Sequence, residues 1–392
     1  MSLSNSVAPG QFDDSFGTER NGQLRIGAQG ISGFSALLPD GSFTTVGYFE
    51  NNPEKPLGSV KHNALGLFDT HYGVVNISEP LIGSVYAIAA QPDGKVVVLG
   101  AYYQEGRDDR LAYLARLSVN GQPDDTFGKG GMCFLDENIS NKFVSVFALT
   151  VQPDGKVLAT FTGDTSSTII RLNKNGGPDA DFGESGTIYL SGTVLQSLAL
   201  HREGYVFGGH NNTAGVVLRY LDDGSPDTSF GDQGVFEVNL TSGPGLPCVF
   251  GLATEVNGNI TLAGSVWHQP SEINFIARIL PDGKLDDSFN QGTVLETTTE
   301  KGAYKALAIQ ADSKPVALAR DPYYGKEVNV IRHKPSGEWD DTFGTAGVAL
   351  AYEDPNGRPV VSYVDKMQIQ TDGKILVSGF YRNASYIGRL HG

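Results

Sequence analysis

Residues Arg116 to Gly128 read Arg-Leu-Ser-Val-Asn-Gly-Gln-Pro-Asp-Asp-Thr-Phe-Gly, and this stretch recurs along the whole chain. Its clearest part is a pentapeptide in which an Asp is followed three places later by an aromatic residue and then by Gly. Seven copies begin at Asp13, Asp69, Asp124, Asp179, Asp227, Asp286 and Asp340. Their mean spacing of about 54 residues predicts a repeat protein in which each copy is one structural unit.

Two further residue types keep fixed distances from the pentapeptide. A Gly stands three residues before each Asp, and in six copies a cation stands eight residues before it. These cations are Lys61, Arg116, Arg171, Arg219, Arg278 and Arg332. The last residue of the pentapeptide is Gly in every copy except one, where it is Asn290. Asn is the commonest non-Gly residue at positive φ, so this position is predicted to need a left-handed backbone.

A second marker, a Pro-Asp-Gly-like turn, lies between successive pentapeptides. It stands at Asp40-Gly41, Asp93-Gly94, Asp154-Gly155, Glu203-Gly204, Asn257-Gly258, Asp312-Ser313 and Asp372-Gly373. Alternating apolar runs flank each turn, which predicts a tight hairpin of two strands, A and B. The run that ends at the cation adds a strand C, and the run after the pentapeptide adds a strand D. Seven such units predict an all-β, seven-bladed propeller with four antiparallel strands per blade.

The two ends of the chain are expected to share one blade. Residues 10–27 carry a pentapeptide but no hairpin, whereas the last residues end in a strand C with the cation Arg389. We therefore predict that the N-terminal strand completes the last blade and closes the propeller, which leaves no open edge. Residues 1–9 are expected to be a mobile segment, followed by a single propeller domain over 10–392. The expected blades 1 to 7 are 31–78, 84–135, 144–190, 194–239, 248–297, 304–351, and 364–392 with 10–27.

The turn and pentapeptide patterns together resemble a known repeat family. Gln-Pro-Asp-Gly-Lys and Asn-Gly-x-Pro-Asp-x-x-Phe-Gly look like the delta-60 repeat of bacterial β-propellers, over nearly the whole chain. The resemblance implies the propeller fold and little about activity, because that family has no general function. A looser similarity to propellers of the NHL and virginiamycin B lyase types implies that strand A is innermost and strand D outermost.

The net charge and the hydropathy of the chain limit the classes of partner that it could bind. The net charge is −15, so phosphate backbones and acidic membrane surfaces are unsuitable partners, and no nucleic acid is predicted. No stretch approaches the roughly 18 apolar residues of a membrane helix, which predicts no membrane insertion. The N-terminus lacks a basic, apolar leader, so we expect a cytoplasmic protein or one exported without a cleaved signal peptide. Oligomeric state stays open.

Cysteine and histidine usage predicts neither a disulfide nor a cofactor. Cys133 falls on strand D of blade 2 and Cys248 at the start of strand A of blade 5, which are not neighbours. The histidines show no metal-ligand spacing, although a metal site assembled from different blades stays open. No nucleophile elbow, phosphate loop or dinucleotide fingerprint occurs. We predict no catalytic residues and no metal.

The repeated charged residues have two interpretations. The Asp of the pentapeptide is suited to acid–base chemistry or to Ca²⁺, and the cations could form a basic ring. The structural alternative is favoured, since an active site is normally unique. In that alternative each Asp accepts backbone N–H groups two residues on, each cation pairs with carboxylates or carbonyls of its own hairpin, and the Phe packs between blades.

Loop lengths indicate where a ligand would bind. The A–B and C–D turns keep constant lengths, while the B–C and D–A loops vary, and the two pairs emerge at opposite ends of an antiparallel sheet. Binding residues gather on variable loops held by a rigid frame. The predicted ligand-binding residues at the end of strand B are Tyr48, Phe49, Tyr102, Tyr103, His210, Trp267, His268, Tyr323, Tyr324 and Tyr381. The alternative is that some of them only cap the core at the strand end.

Three functions remain open at this point. The first is a non-catalytic, lectin-like binding propeller whose loop face recognises a glycan or a protein. The second is a lyase or hydrolase at the channel mouth, by analogy with the virginiamycin B lyase type, which needs His210, His268 and Glu50 to converge. The third is a structural or toxin-associated scaffold.

Overall fold

The structure is a computed structural model, and its described residues are 8–26, 31–49, 56–82, 84–103, 110–135, 145–202, 204–241, 245–266, 272–299, 301–320, 327–353, 362–381 and 384–392. Over these ranges the chain forms 28 strands in seven four-stranded antiparallel sheets, together with one short 3₁₀ turn at Asn290–Gly292. The predicted fold class, a seven-bladed β-propeller with four antiparallel strands per blade, is confirmed. Most of the segment expected to be mobile, residues 1–9, lies outside the described residues.

The sheets belong to two compact units. One comprises Arg25–Val238 with Asn383–Ser385, and the other comprises Met1–Leu24, Asn239–Arg382 and Tyr386–Gly392. In the first unit, sheet 1 contains β2 (Ile31–Leu37), β3 (Phe43–Phe49), β4 (Pro56–His62) and β5 (Val74–Ile82). Sheet 2 contains β6 (Ser84–Ala90), β7 (Val96–Tyr103), β8 (Arg110–Leu117) and β9 (Met132–Phe134). Sheet 3 contains β10 (Ser145–Val151), β11 (Val157–Thr162), β12 (Ser166–Leu172) and β13 (Thr187–Ser191). Sheet 4 contains β14 (Thr193–His201), β15 (Gly204–Asn211), β16 (Gly215–Leu221) and β17 (Val235–Val238).

The second unit holds most of the remaining strands. Sheet 5 contains β18 (Pro247–Thr254), β19 (Ile260–Val266), β20 (Glu272–Ile279) and β21 (Leu295–Thr299). Sheet 6 contains β22 (Ala303–Ile309), β23 (Pro315–Arg320), β24 (Glu327–Arg332) and β25 (Val348–Glu353). Sheet 7 contains β26 (Ser362–Ile369), β27 (Ile375–Tyr381), β28 (Ala384–Leu390) and β1 (Gln23–Ile26), in the order β1-β28-β27-β26. The N-terminal strand therefore completes the last sheet, as predicted.

Within each unit the first strands of successive sheets lie against one another. Strand β6 contacts both β2 and β10, and β22 contacts both β18 and β26. Side chains from neighbouring sheets fill the space between them, as where Val46 and Leu57 of sheet 1 pack with Ile88 and Val98 of sheet 2. Alternating apolar residues on both faces of each sheet therefore form a core between the sheets.

The backbone at the end of the pentapeptide is left-handed wherever it occurs. The φ angles are 85° at Gly17, 67° at Gly73, 58° at Gly128, 51° at Gly183, 53° at Gly231, 46° at Asn290 and 55° at Gly344. The prediction drawn from Asn290 is confirmed. In sheets 2 and 5 the residue also donates its backbone N–H to the turn of the next sheet, at 2.6 Å from Gly128 to Asn175 and at 2.8 Å from Asn290 to Ser336.

A buried Arg–Asp pair holds the pentapeptide turn in sheets 2 to 7, and sheet 2 shows the pattern. The Nε of Arg116 donates to Oδ2 of Asp124 at 2.8 Å, and its Nη2 donates to the hydroxyl of Thr126 at 2.8 Å. The Thr126 backbone N–H and hydroxyl both donate to Asp124 Oδ1, at 3.1 and 2.7 Å. Lys95 of the Pro-Asp-Gly turn lies 3.0 Å from the same carboxylate. The structural interpretation of the repeated Asp and cation is confirmed for this sheet.

The aromatic residue of the pentapeptide packs between sheets, as predicted. Phe127 is fully buried, and the guanidinium carbon of Arg116 lies 4.8 Å above its ring. On the other side, a Cβ added to Gly176 of sheet 3 would lie 3.2 Å from that ring. Each turn is thus tied by hydrogen bonds and by packing, so this end of the sheets is a rigid frame.

Candidate functional site

The predicted site residue Tyr48 lies where strand β3 ends, at the loop end of sheet 1. It pairs in register with Ser32 and Leu57, at the opposite end of the strand from the Asp40-Gly41 turn. Its side chain is half-buried and packs against the core between sheets 1 and 2. Part of the tyrosine ring therefore faces the space at the loop end.

Two further tyrosines accompany Tyr48 from sheet 2. Tyr113 on β8 is fully buried, and its ring lies over Gly100, where an added Cβ would be 2.4 Å from the Tyr113 hydroxyl oxygen. Burial raises the pKa of the Tyr113 phenol well above its usual value, and the nearby phenols of Tyr48 and Tyr86 raise it further. Tyr86 is half-buried. We call Tyr48, Tyr86 and Tyr113 the tyrosine cluster.

A β-bulge sets the position of Tyr86. Val85 pairs with Gly100 and Ala87 with Leu99, so Tyr86 is the extra residue of β6 with no partner in the register. A bulge re-aims a side chain relative to strict alternation. Tyr86 and Tyr113 could not be identified as site residues from the sequence, because a bulge and the approach of a neighbouring sheet leave no periodic signal.

Phe49, the next predicted residue, has a different role from Tyr48. Alternation along β3 turns its ring to the other face of sheet 1. There, a Cβ added to Gly58 would lie 2.7 Å from atoms of both Phe49 and Ile31. Phe49 therefore covers the core at the strand end, which is the alternative left open for some of these residues.

His210 occupies the corresponding strand end in sheet 4. It pairs with Val194 and Gly215, and its Nδ1 donates to the carbonyl oxygen of Asn211 at 3.0 Å. Asn211 in turn accepts the backbone N–H groups of Thr213 and Ala214, at 2.8 and 2.7 Å. This short loop orients the half-buried imidazole, whose Nε2 is not used in that bond.

The remaining predicted residues are only partly placed. Tyr102, Tyr103 and Tyr381 lie at the predicted ends of β7 and β27, but their side chains are outside the described part of the structure. Trp267, His268, Tyr323, Tyr324 and also Glu50 lie outside the described residues altogether. The structure therefore brings Tyr48 together with two unpredicted tyrosines and leaves the convergence of His210, His268 and Glu50 as a prediction.

Other reactive groups were located as well. Cys133 on β9 and Cys248 on β18 are free thiols, as predicted. Among the described residues no group of three or more His, Cys, Asp or Glu side chains is arranged to hold a metal ion. No helix within the described ranges has the length and apolar character to cross a membrane.

Comparison with known proteins supports the fold. Three segments, 91–127, 152–182 and 257–289, match the family described as "Domain of unknown function (DUF5122) beta-propeller". Each segment runs from a Pro-Asp-Gly-like turn to a pentapeptide, so the matched pattern is the same repeat. None of the curated proteins matches this chain.

Several solved structures match this chain at low sequence identity. A protein from Lactobacillus plantarum matches with a TM-score of 0.50 and 11% identity, covering 82% of this chain and 88% of that one. The Dos1 propeller has a TM-score of 0.49 and 6% identity, with coverages of 95% and 82%. The polysaccharide lyase Uly1 has a TM-score of 0.48 and 11% identity, with coverages of 92% and 90%. At such identities the similarity concerns the fold alone.

Proposed function

We propose that this propeller is a non-catalytic recognition module that binds a glycan or a protein at the loop ends of its sheets. The observation that carries the proposal is the tyrosine cluster, in which Tyr48 and Tyr86 are half-buried, Tyr113 is fully buried, and the phenols of Tyr48 and Tyr86 contribute to the raised pKa of Tyr113. Tyrosine offers a large, rigid, apolar surface and a hydroxyl group, which suits the faces of sugar rings and the anchors of protein interfaces.

Pre-organisation supports the proposal. Tyr113 is held by burial over Gly100, and Tyr86 is held by the bulge of β6. The opposite end of sheet 2 is held by the hydrogen bond between Arg116 and Asp124. Little side-chain entropy is then lost when a ligand contacts the rings, which favours affinity.

The repeat pattern supports a family assignment as part of the same proposal. The Gln-Pro-Asp-Gly-Lys turn and the Asp-x-x-Phe-Gly pentapeptide recur as they do in the delta-60 repeat. We infer that the chain is a propeller of that family. Since the family has no general function, the assignment adds nothing about the ligand, and the site chemistry alone supports recognition.

A glycan array and site-directed photo-crosslinking test the function. The full chain is applied to a glycan array, and in a separate arm it carries benzoyl-phenylalanine at position 48. Binding on the array should weaken at least tenfold in Tyr48→Ala and Tyr86→Ala, whereas Tyr48→Phe, which keeps the ring, should lose less. A matched control is Tyr189→Ala on β13, because that side chain is 54% exposed and lies outside the cluster.

The two arms separate the ligand classes. Glycan binding that depends on the cluster identifies a lectin-like function, while crosslinks formed from position 48 but not from position 189 identify a protein ligand. Binding that is equal in Tyr48→Ala and Tyr189→Ala would place recognition elsewhere and refute the proposal. Cleavage of an array glycan, detected by mass spectrometry, would show an enzyme instead.

A further inference from the structure

The A–B turn of sheet 4 departs from the turn sequence of the two sheets that precede it. In sheets 2 and 3 this turn reads Gln-Pro-Asp-Gly-Lys, at 91–95 and 152–156. In sheet 4 the corresponding positions hold His201, Arg202, Glu203, Gly204 and Tyr205. Four of the five residues shared by sheets 2 and 3 are therefore replaced in sheet 4. Residue 203 lies outside the described residues.

Because Tyr205 stands where sheets 2 and 3 have Lys, the hydrogen bonds at this turn join different partners. In sheets 2 and 3 the consensus lysines, Lys95 and Lys156, each lie 3.0 Å from the pentapeptide carboxylate of their own sheet. The Tyr205 hydroxyl instead accepts from Arg171 Nη1 at 2.5 Å and donates to Asp222 Oδ1 at 2.6 Å. Asp222 is thereby held in place beside the turn while its side chain stays 71% exposed.

A cavity of about 600 Å³ lies at this altered turn, between sheets 3 and 4. Its lining consists of Gln152, Pro153, Leu200, His201, Arg202, Gly204 and Asp222. This volume is within the range of roughly 300–1,000 Å³ that small-molecule sites occupy. The cavity thus coincides with the one turn of sheets 2 to 4 that departs from the consensus.

The lining offers groups of three kinds. Arg202 contributes a guanidinium, which suits a carboxylate or phosphate. Gln152 Oε1 is buried and has no hydrogen-bond partner among the described residues, like Gln91 Oε1 and Gln370 Oε1 at the same repeat position, so it can accept a hydrogen bond from a ligand. The exposed carboxylate of Asp222 also accepts hydrogen bonds. Leu200 and Pro153 add apolar surface for a carbon skeleton.

We propose that this cavity binds a small organic anion that carries hydroxyl groups, of the size of a sugar acid. The ligand's carboxylate pairs with Arg202, and its hydroxyl groups donate to Gln152 Oε1 and Asp222. Repulsion between Asp222 and the ligand's carboxylate excludes the reverse orientation. The site lies at the turn end of sheets 3 and 4, so it is separate from the tyrosine cluster at the loop end of sheets 1 and 2.

Isothermal titration calorimetry on the full chain tests the proposal with three probes. D-Glucuronate carries both the charge and the hydroxyl groups, glucose carries only hydroxyl groups, and inorganic phosphate carries only charge. Glucuronate should bind saturably and at least tenfold more tightly than either of the others. Arg202→Gln should weaken glucuronate binding at least tenfold. The matched control is Lys174→Gln, which removes another exposed cation from the same end of sheet 3 and should leave binding unchanged.

A consensus variant provides an independent test. Replacing His201, Arg202 and Tyr205 by Gln, Pro and Lys matches the turn of sheets 2 and 3 at every position except 203, so the fold should be kept while binding is lost. The proposal is wrong if glucuronate shows no saturable binding, if phosphate binds equally well, or if Arg202→Gln or the folded consensus variant binds as the wild type does.

Discussion

The guanidinium of Arg171 in sheet 3 donates a hydrogen bond of 2.5 Å to the backbone carbonyl oxygen of Asp222 in sheet 4. The same side chain, only 1% exposed, pairs with Asp179 of its own sheet at 2.6 Å. Two other sheets repeat the arrangement, since Nη1 of Arg116 donates to the carbonyl of Lys174 at 2.6 Å and Nη1 of Arg278 to that of Pro335 at 3.1 Å. In these three sheets the cation therefore joins its own turn to the turn of the next sheet, which explains its fixed spacing from the Asp.

Removal of one such cation should destabilise the protein strongly. In Arg116→Gln the buried carboxylate of Asp124 keeps Lys95 but loses its guanidinium partner, so we expect the free energy of unfolding to fall by about 3 kcal/mol. Arg116→Lys keeps the charge without the planar set of donors and should lose less. Urea denaturation measures both. The control is Lys284→Gln, whose pair with Asp282 is exposed and should contribute nothing measurable. Equal effects of Arg116→Gln and Lys284→Gln would contradict the structural role.

Two glycines at the same repeat position should respond differently to alanine. A Cβ at Gly128 would lie 1.9 Å from the Met132 carbonyl oxygen, whereas a Cβ at Gly73 has nothing within 4 Å. Both have positive φ. Gly73→Ala should therefore lower the free energy of unfolding only by the cost of a left-handed backbone at a non-Gly residue, about 1–2 kcal/mol. Gly128→Ala should lower it by clearly more. Thermal and urea unfolding of the two variants measure the two losses of stability. Equal losses would show that the backbone around Gly128 can shift to accommodate the added Cβ.

Buried histidines should make stability depend on pH. Burial lowers the pKa of His62 to about 4 from its ordinary 6.5, and its ring stacks on Phe43 with centroids 5.3 Å apart. His333, also buried, has its pKa lowered to about 4. Because the folded pKa lies below the unfolded one, the unfolded chain binds protons more tightly between pH 6.5 and 4. Stability should be full above pH 6.5 and fall across this window, by up to about 3 kcal/mol for each histidine.

The repeat itself supplies the matched variant for this test. Leu117 and Leu172 occupy in sheets 2 and 3 the place of His62 in sheet 1, so His62→Leu should be tolerated. It should reduce the loss of unfolding free energy between pH 6.5 and 4 by about half, with His333 supplying the rest. The titration of Asp13 does not contribute to the loss of stability in this pH range. Burial alone would raise its pKa, but hydrogen bonds from Ser15 and the charges of Arg389 and Lys374 outweigh burial and lower it to about 2, so its effect lies at lower pH. An unchanged pH profile in His62→Leu would refute the assignment.

The N-terminal strand should be essential to sheet 7. Strand β1 pairs with β28, and Asp13 meets Arg389 both through its backbone N–H, at 2.9 Å, and through its carboxylate, at 2.8 Å. Deletion of residues 1–26 removes both and exposes the edge of β28. We expect a large drop in the urea midpoint, reversed by adding a synthetic peptide of residues 8–26. A truncated protein that is as stable as the full chain would contradict this closure.

The fold was predictable because its determining contacts are local in the chain. The turn Asp binds the backbone and hydroxyl two residues on, as Asp124 does with Thr126, and the cation reaches the Asp from eight residues away. The left-handed position is marked by Gly or by Asn290 itself. Such short-range requirements leave fixed spacings in a sequence, and seven copies make the spacings unmistakable.

Only some residues of the candidate site could be predicted from the sequence. Tyr48 was recognised at its strand end, but Tyr86 enters through a bulge of β6 and Tyr113 from a strand of the neighbouring sheet. The cavity at sheet 4 likewise combines Gln152, Arg202 and Asp222, which come from separate turns. The altered turn is visible in the sequence, although the cavity beside it is not.

The sequence by itself determined the all-β class, the number and order of strands in each sheet, and the conformation of the turns, because each of these follows from residues a few positions apart. Only the tertiary structure decided which side chains of different sheets interact, as the Tyr48 phenol raises the pKa of Tyr113 and Arg171 donates a hydrogen bond to Tyr205. Those interactions depend on how neighbouring sheets pack. Packing is set jointly by the shapes of many residues that are distant in the chain, and such residues have no fixed spacing in the sequence.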